Sequence, residues 1–256
     1  MYSCSLPQKK DWKTKRRWHP VRDVWSIFKR EVAAYFISPM AYVMGAVFLM
    51  LSGYFFSVIL LATHSASMQG VLGNMAVIFL FIAPVLTMRQ LAEERKLGTD
   101  ELIMTSPVST TSIVVGKYLA AVCTYVVYLV ITMIYPAILI KYGSPDMGPI
   151  YSGYLGMFLF GAGCLAVGTF SSSLTDNQMV AGVVGFGLLL LFWILGWAGA
   201  VVTGPIGDTL ANFSLLKRFD DFQKGIIDLS SVLYYVSFIS IFIFLAVRVI
   251  DSRRWS

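Results

Sequence analysis

Apolar and polar residues come in blocks along this chain. Six long apolar runs lie near 40–62, 71–88, 114–140, 150–170, 179–202 and 232–250, with polar stretches between them. At about 20 residues, each is long enough to cross roughly 30 Å of hydrocarbon as a helix, the second being at the short end. The runs are continuous and lack the two-residue alternation of barrel strands, so helices are the spanning structure they predict. Ahead of them, Val21, Val24, Trp25, Phe28, Val32, Tyr35 and Phe36 recur at helical spacing, while Arg22, Asp23, Ser26, Lys29, Arg30 and Glu31 fall largely on the opposite face. One aromatic face and one basic face predict a helix over 21–38 that lies in the membrane interface. Ser38-Pro39 ends it, because a residue before proline avoids the α region. Residues 1–20 form a basic tail, and 39–256 a six-helix transmembrane domain. The expected fold class is an all-α integral membrane protein.

Composition agrees with that reading and orients it. Of 256 residues, 57% are hydrophobic and 13% charged, with mean hydropathy +0.72; soluble domains carry about 25% charged residues. Six spans put both termini on one side. Sixteen of the 20 Lys and Arg residues fall on that side, in the N-terminal region, the 89–117 loop and the C-terminal end; Lys141, Lys217, Arg218 and Lys224 fall on the other. The positive-inside rule makes both termini and the 89–117 loop cytoplasmic. The net charge of +6 is thereby used for orientation, and no nucleic-acid partner is expected, since no binding fold accompanies the basic tail. Cys4, Cys123 and Cys164 are odd in number and widely spaced, against a disulfide framework or a zinc site. No cleavable signal is expected, because the basic N-terminus leads into an amphipathic passage rather than a short apolar core.

The spans are empty of ionisable groups: none of Asp, Glu, Lys, Arg or His lies between 41 and 62, 71 and 88, 118 and 140, 150 and 170, 179 and 202, or 232 and 247. A proton-coupled carrier commonly holds such groups at mid-membrane, so this class is disfavoured. His19 and His64 lie on opposite sides of the membrane, and no CxxC, GxSxG or paired-His motif is present. Gly116-Lys117 ends like a phosphate loop, but Thr111 stands where the first glycine is required. The chain is expected to hydrolyse no ATP and to bind no cofactor or metal itself. Glycines crowd the fourth and fifth spans, where small residues let helix backbones approach.

Two loops carry pattern. Residues 203–231 interleave Phe213, Leu216, Phe219, Phe222 and Ile226 with Lys217, Arg218, Asp220, Asp221 and Lys224, predicting one or two short amphipathic helices that lie on or dip into the outer leaflet. On the other side, Arg89–Arg95 can continue the second span out of the membrane. Gly98 is a natural break, and Thr99 can cap a short helix whose start is favoured by Asp100 and Glu101. Leu102, Ile103 and Met104 give that helix an apolar patch before Ser106-Pro107 stops it, and Ser109, Thr110 or Thr111 can cap the third span. The pattern fits equally a helix docked into a cytoplasmic partner and a helix resting on lipid.

Residues 88–120, MRQLAEERKLGTDELIMTSPVSTTSIVVGKYLA, resemble the segment between the second and third spans of type-2 ABC transporter permeases. The resemblance rests on Glu93, Glu94, Arg95, Gly98, Thr99, Glu101, Leu102, Ser106, Pro107, Val108, Ser109, Gly116 and Lys117. FQKGIIDLSSVLYYVSF, before the last span, is similar to the branch that includes gliding-motility permease subunits. The resemblance implies the membrane subunit of an ATP-driven exporter in a bacterial cell (inner) membrane. It implies a separate ABC ATPase subunit carrying ATP and Mg, and a second permease subunit, identical or related. In that scheme Glu93, Glu94 and Arg95 end the gating helix, and Thr99–Met104, comprising Thr99, Asp100, Glu101, Leu102, Ile103 and Met104, form the coupling helix. The interfacial helix, with Trp25, Phe28, Lys29 and Arg30, bears on the same ATPase. The outer loop, with Phe213, Leu216, Phe219 and Phe222, narrows the exit. The other readings are a non-transporting membrane scaffold or assembly factor, and a channel or secondary carrier.

Overall fold

The computed structural model describes residues 20–63, 67–96, 98, 109–201 and 213–253. Among these the secondary structure is helical, with no strand. Helix α1 (Pro20–Ile37) is followed after one residue by α2 (Pro39–Thr63), which opens on a proline whose fixed φ suits a first helical position. Then come α3 (Gln69–Thr87), a five-residue α4 (Ala92–Lys96), α5 (Thr110–Thr132), α6 (Ile134–Tyr142), α7 (Met147–Leu174), α8 (Gln178–Val201), α9 (Leu215–Gln223) and α10 (Leu229–Arg253). The six stretches long and apolar enough to cross a membrane are α2, α3, α5 with α6, α7, α8 and α10. Each begins or ends near the expected boundary, but most run longer. The third starts at Thr110, where Ser109 caps it by accepting from the Ser112 amide.

That third span is broken, which its apolar run did not predict. Pro136 has no N–H to give the Thr132 carbonyl, and α5 ends there. The Tyr154 hydroxyl of α7 donates to that carbonyl at 2.8 Å, so the freed acceptor is satisfied inside the bundle. Other buried tyrosines act alike, each an apolar body with one hydroxyl donating to another element's carbonyl: Tyr118 to Ala162, Tyr125 to Met157, Tyr128 to Ala41 and Tyr235 to Leu215.

α7 is the axis of the molecule. It packs against α3, α5, α8, α9 and α10, and 78% of its most apolar stretch is buried, against 17% for α8. Its glycines make this possible: a Cβ at Gly156 would stand 2.5 Å from the Phe222 Cβ, so only a bare backbone admits that ring. Phe222 belongs to α9, and here the expectation of a helix on the outer leaflet is corrected. Leu215, Phe219 and Phe222 are buried in the bundle core beside Phe160 and Tyr235, leaving Phe213 exposed at the rim and Leu216 half-buried. Amphipathicity gave α9 an apolar face, and the gap beside the α7 glycines buries it.

Candidate functional site at the α1 end of the bundle

The α1 end of the bundle gathers α1, the exit of α3, α4 and the ends of α5, α7 and α10. After Thr87 the chain turns irregularly through residues 88–91 before α4 begins. The Ser172 hydroxyl of α7 stitches this turn: it accepts from the amides of Leu91 (3.0 Å) and Ala92 (3.2 Å) and donates to the Met88 carbonyl (3.2 Å). Without it, backbone groups in a helix break would be orphaned. Buried Gln90 links three elements. Its Nε2 donates to the Lys117 carbonyl of α5 (3.2 Å), and its Oε1 accepts from the Thr169 hydroxyl of α7 (2.9 Å).

α4 is tied in turn. Arg95 Nη1 donates to the Ser173 carbonyl at 2.6 Å and lies 3.5 Å from the Asp176 carboxylate. Arg89 forks onto Glu93 through Nε (2.9 Å) and Nη2 (2.7 Å), a pair one helical turn apart. This bonding, first of all, holds the guanidinium pKa above its ordinary value. Gly98 then takes φ +67°, the left-handed conformation that ends helices and that L side chains rarely adopt.

α1 lies along α5. Gly116 makes room, since a Cβ there would meet the Ile27 side chain. One turn further, Glu31 points at α5 and pairs with Lys117, Nζ to Oε1 at 3.1 Å; Arg30 donates to the same carboxylate at 2.8 Å. Lys117 is 1% exposed. Two expectations are corrected here: Glu31 leaves the polar face of α1, and Lys117 sits two turns inside α5 rather than in an aqueous loop. A buried ammonium needs a carboxylate partner, and α1 supplies it. Tyr35, on the same face of α1, donates to the Leu86 carbonyl of α3, and burial pushes its phenol pKa up. On α10, Asp251 accepts from the Thr110 hydroxyl.

Of the residues singled out from sequence, Glu93, Arg95 and Gly98 fall in this junction. Glu94 is in α4, its side chain outside the described residues, as are Thr99, Asp100, Glu101, Leu102, Ile103 and Met104. Arg30 joins the Glu31–Lys117 pair, while Trp25 and Phe28 stack at 5.3 Å and Lys29 stands 5.2 Å over the Trp25 ring. Phe213, Leu216, Phe219 and Phe222 lie at the opposite end. Sequence reasoning missed Glu31, Gln90, Thr169 and Ser172, and it took Lys117 only as part of the motif before the third span. One signal was available: Glu31 is four residues from both Ile27 and Tyr35, which places it on an apolar stripe. Among the described residues no group of His, Cys, Asp or Glu could hold a metal ion. What the contacts of this junction can do is fix helices rigidly to one another.

A family model described as ABC-2 family transporter protein matches residues 62–247, well over half of the chain. The match begins at the end of α2 and runs through most of α10, so it includes α4 and the stretch that follows it. No curated protein matches the chain.

Proposed function

The chain belongs to the ABC-2 family of transporter proteins and is a permease component of an ABC transporter; on that premise we propose that its 89–117 segment receives the movement of a separate ABC ATPase. ATP and Mg are carried by that subunit, and this chain supplies the membrane path. The observation that carries this reading is the anchoring of α4. The segment with the permease-like motif leaves the bundle through a turn bonded to α7 by Ser172 and to α5 by Gln90. A push on the segment is therefore a push on α3, α5 and α7 together. The Glu31–Lys117 pair adds α1, so the interfacial helix moves with the same body.

Two permease subunits, identical or related, line the path in this proposal, with both termini and the 89–117 segment on the cytoplasmic side of a bacterial cell membrane. The charge asymmetry of the ends supports that orientation. The motif residues Thr99–Met104 form the docking surface, and the far-end helix α9 narrows the exit.

The test is co-purification of the full chain with the product of a neighbouring gene, if that gene encodes an ABC ATPase. Wild type is expected to co-elute with it, and Glu101→Lys and Leu102→Asp to lose the partner while melting normally. Normal binding by both variants would show that docking uses another surface. ATP hydrolysis by the isolated chain would contradict the division of labour, and a wild-type chain that recruits no ABC ATPase would be a membrane scaffold.

A further inference from the structure

Between α1 and α5 runs an open groove of about 770 Å³. Val24, Trp25 and Phe28 of α1 form one wall, Val115, Leu119 and Val126 of α5 the other. Its polarity is confined to one end, where Ser109, Thr111 and Ser112 stand at the start of α5. From Thr111 to Val126 it spans about 22 Å at 1.5 Å per residue, more than the roughly 15 Å depth of one leaflet's hydrocarbon. Leu119, which lines the groove, is 39% exposed among the described residues, and Val130, three turns on along α5, is 57% exposed.

We propose that this groove seats one anionic glycerophospholipid, an acyl chain lying along α5 and the phosphate at the Ser109–Ser112 end. The shape is that of an amphiphile, polar at one tip and apolar for the rest. Charge complements it. Lys29 stands 5.2 Å over the ring of Trp25, which lines the groove, and the N-terminus of the 23-residue α5 adds its positive dipole end. Among the described residues, the carboxylates Glu31 and Asp251 are engaged elsewhere, Glu31 by Lys117 and Arg30, and Asp251 by Thr110. The Thr111 side chain is exposed at the tip, in position to donate to a phosphate oxygen. The lipid thus completes the contact between the interfacial helix and α5 where protein leaves a gap. This inference rests on the bilayer-spanning fold alone, so its failure leaves the ATPase proposal standing, and the reverse.

The experiment uses the full chain in phosphatidylcholine vesicles containing a minor fraction of phosphatidylglycerol, with a photoactivatable diazirine on the acyl chain of one lipid or the other. Crosslinks are mapped by peptide mass spectrometry. The phosphatidylglycerol probe should label Cys123, Val126 and Phe158 about fivefold more than the phosphatidylcholine probe, the effect of one cation facing an anionic lipid. Lys29→Glu should erase that preference and leave the phosphatidylcholine labelling unchanged. Leu119→Trp, at an exposed position, should fill the groove and abolish labelling at Cys123 by either probe. Equal labelling by the two probes in wild type would reduce the site to ordinary boundary lipid and overturn the proposal. So would a preference that survives Lys29→Glu, since the basic tail would then be attracting the lipid. Absence of label from the groove in a normally melting wild type would mean that protein occupies it, and would overturn it equally.

Discussion

The α1 end and the far end of the bundle are closed by different chemistry. At the α1 end, helices meet through directed polar contacts: Glu31 with Lys117, Gln90 with Thr169, Ser172 with three backbone groups, and Arg95 with Ser173. At the far end, α9 is held mainly by packed rings, Phe219 against Phe160 at 5.7 Å and Phe222 against Tyr235 at 6.3 Å. Three hydrogen bonds to other helices accompany them among the described residues, from Ser152 to the Phe222 carbonyl, from Tyr235 to the Leu215 carbonyl and from Arg218 to the Ser230 hydroxyl. A hydrogen bond weakens steeply once its distance and angle are lost. Aromatic pairs keep most of their attraction over centroid separations of roughly 4.5–7 Å. A displacement at the α1 end therefore strains directed polar contacts, whereas one at the far end meets close ring packing against the α7 glycines.

Breaking the polar closure should have the largest effect. Glu31→Ala leaves the Lys117 ammonium buried without its carboxylate, at a cost of about 3–5 kcal/mol, read as a fall in unfolding free energy in detergent. Lys117→Met should cost less, because Glu31 retains Arg30 at 2.8 Å. Glu31→Leu with Lys117→Met should recover most of the loss, since an apolar pair of similar volume often replaces a buried ion pair without penalty. A Glu31→Ala cost below about 1 kcal/mol, the range of exposed pairs, would mean that the α1 end is not closed by this pair.

The packed end is tested by steric fit. Gly156→Ala puts a methyl against Phe222 and should lose about 1–3 kcal/mol to overpacking, less the roughly 1 kcal/mol that alanine gains over glycine in a helix. Gly187→Ala, on α8, meets nothing within 4 Å and should keep the gain without the clash. If the two variants melt alike, α9 is not seated against α7 as closely as the structure has it.

What could be read from sequence is what local rules govern. The six spans, a break at Gly98 and a cap at Ser109, Thr110 or Thr111 each follow from periodicity or turn chemistry within a few residues; the structure has the spans, turns at Gly98 and takes Ser109 as the cap. The polar junction was not legible, because its partners are far apart in the chain. A lysine after a hydroxyl-rich stretch reads as the end of an aqueous loop; Glu31, brought alongside by α1, supplies the carboxylate that Lys117 needs inside a helix. Pro136 was visible too. Whether it ends a helix or merely bends one depends on what meets the Thr132 carbonyl, and Tyr154 comes from another span. In the same way the apolar face of α9 was plain, while the space that buries it is made by α7. The docking role proposed for Thr99–Met104 rests on its motif, and these residues lie outside the described ones.

The smallest effect bears on the polar rim of the far end. Partial burial, first of all, raises the Asp220 carboxyl pKa from its ordinary value of 3.8; nearby Asp221 adds to this and Lys224 opposes it. The folded chain then holds this proton more tightly than the unfolded chain does. The stability it lends is complete below the ordinary carboxylate range and is lost as pH rises through that range to the raised value. Asp220→Asn carries no such proton, so its melting temperature should gain on that of wild type between about pH 4 and neutrality and hold a constant lead above that. The gain is small because the side chain stands largely in water. A difference that is flat from pH 4 upward would show that Lys224 cancels the effect of burial, and one that grows in favour of Asp220 would show that Lys224 outweighs it and that an ion pair holds the rim of the far end.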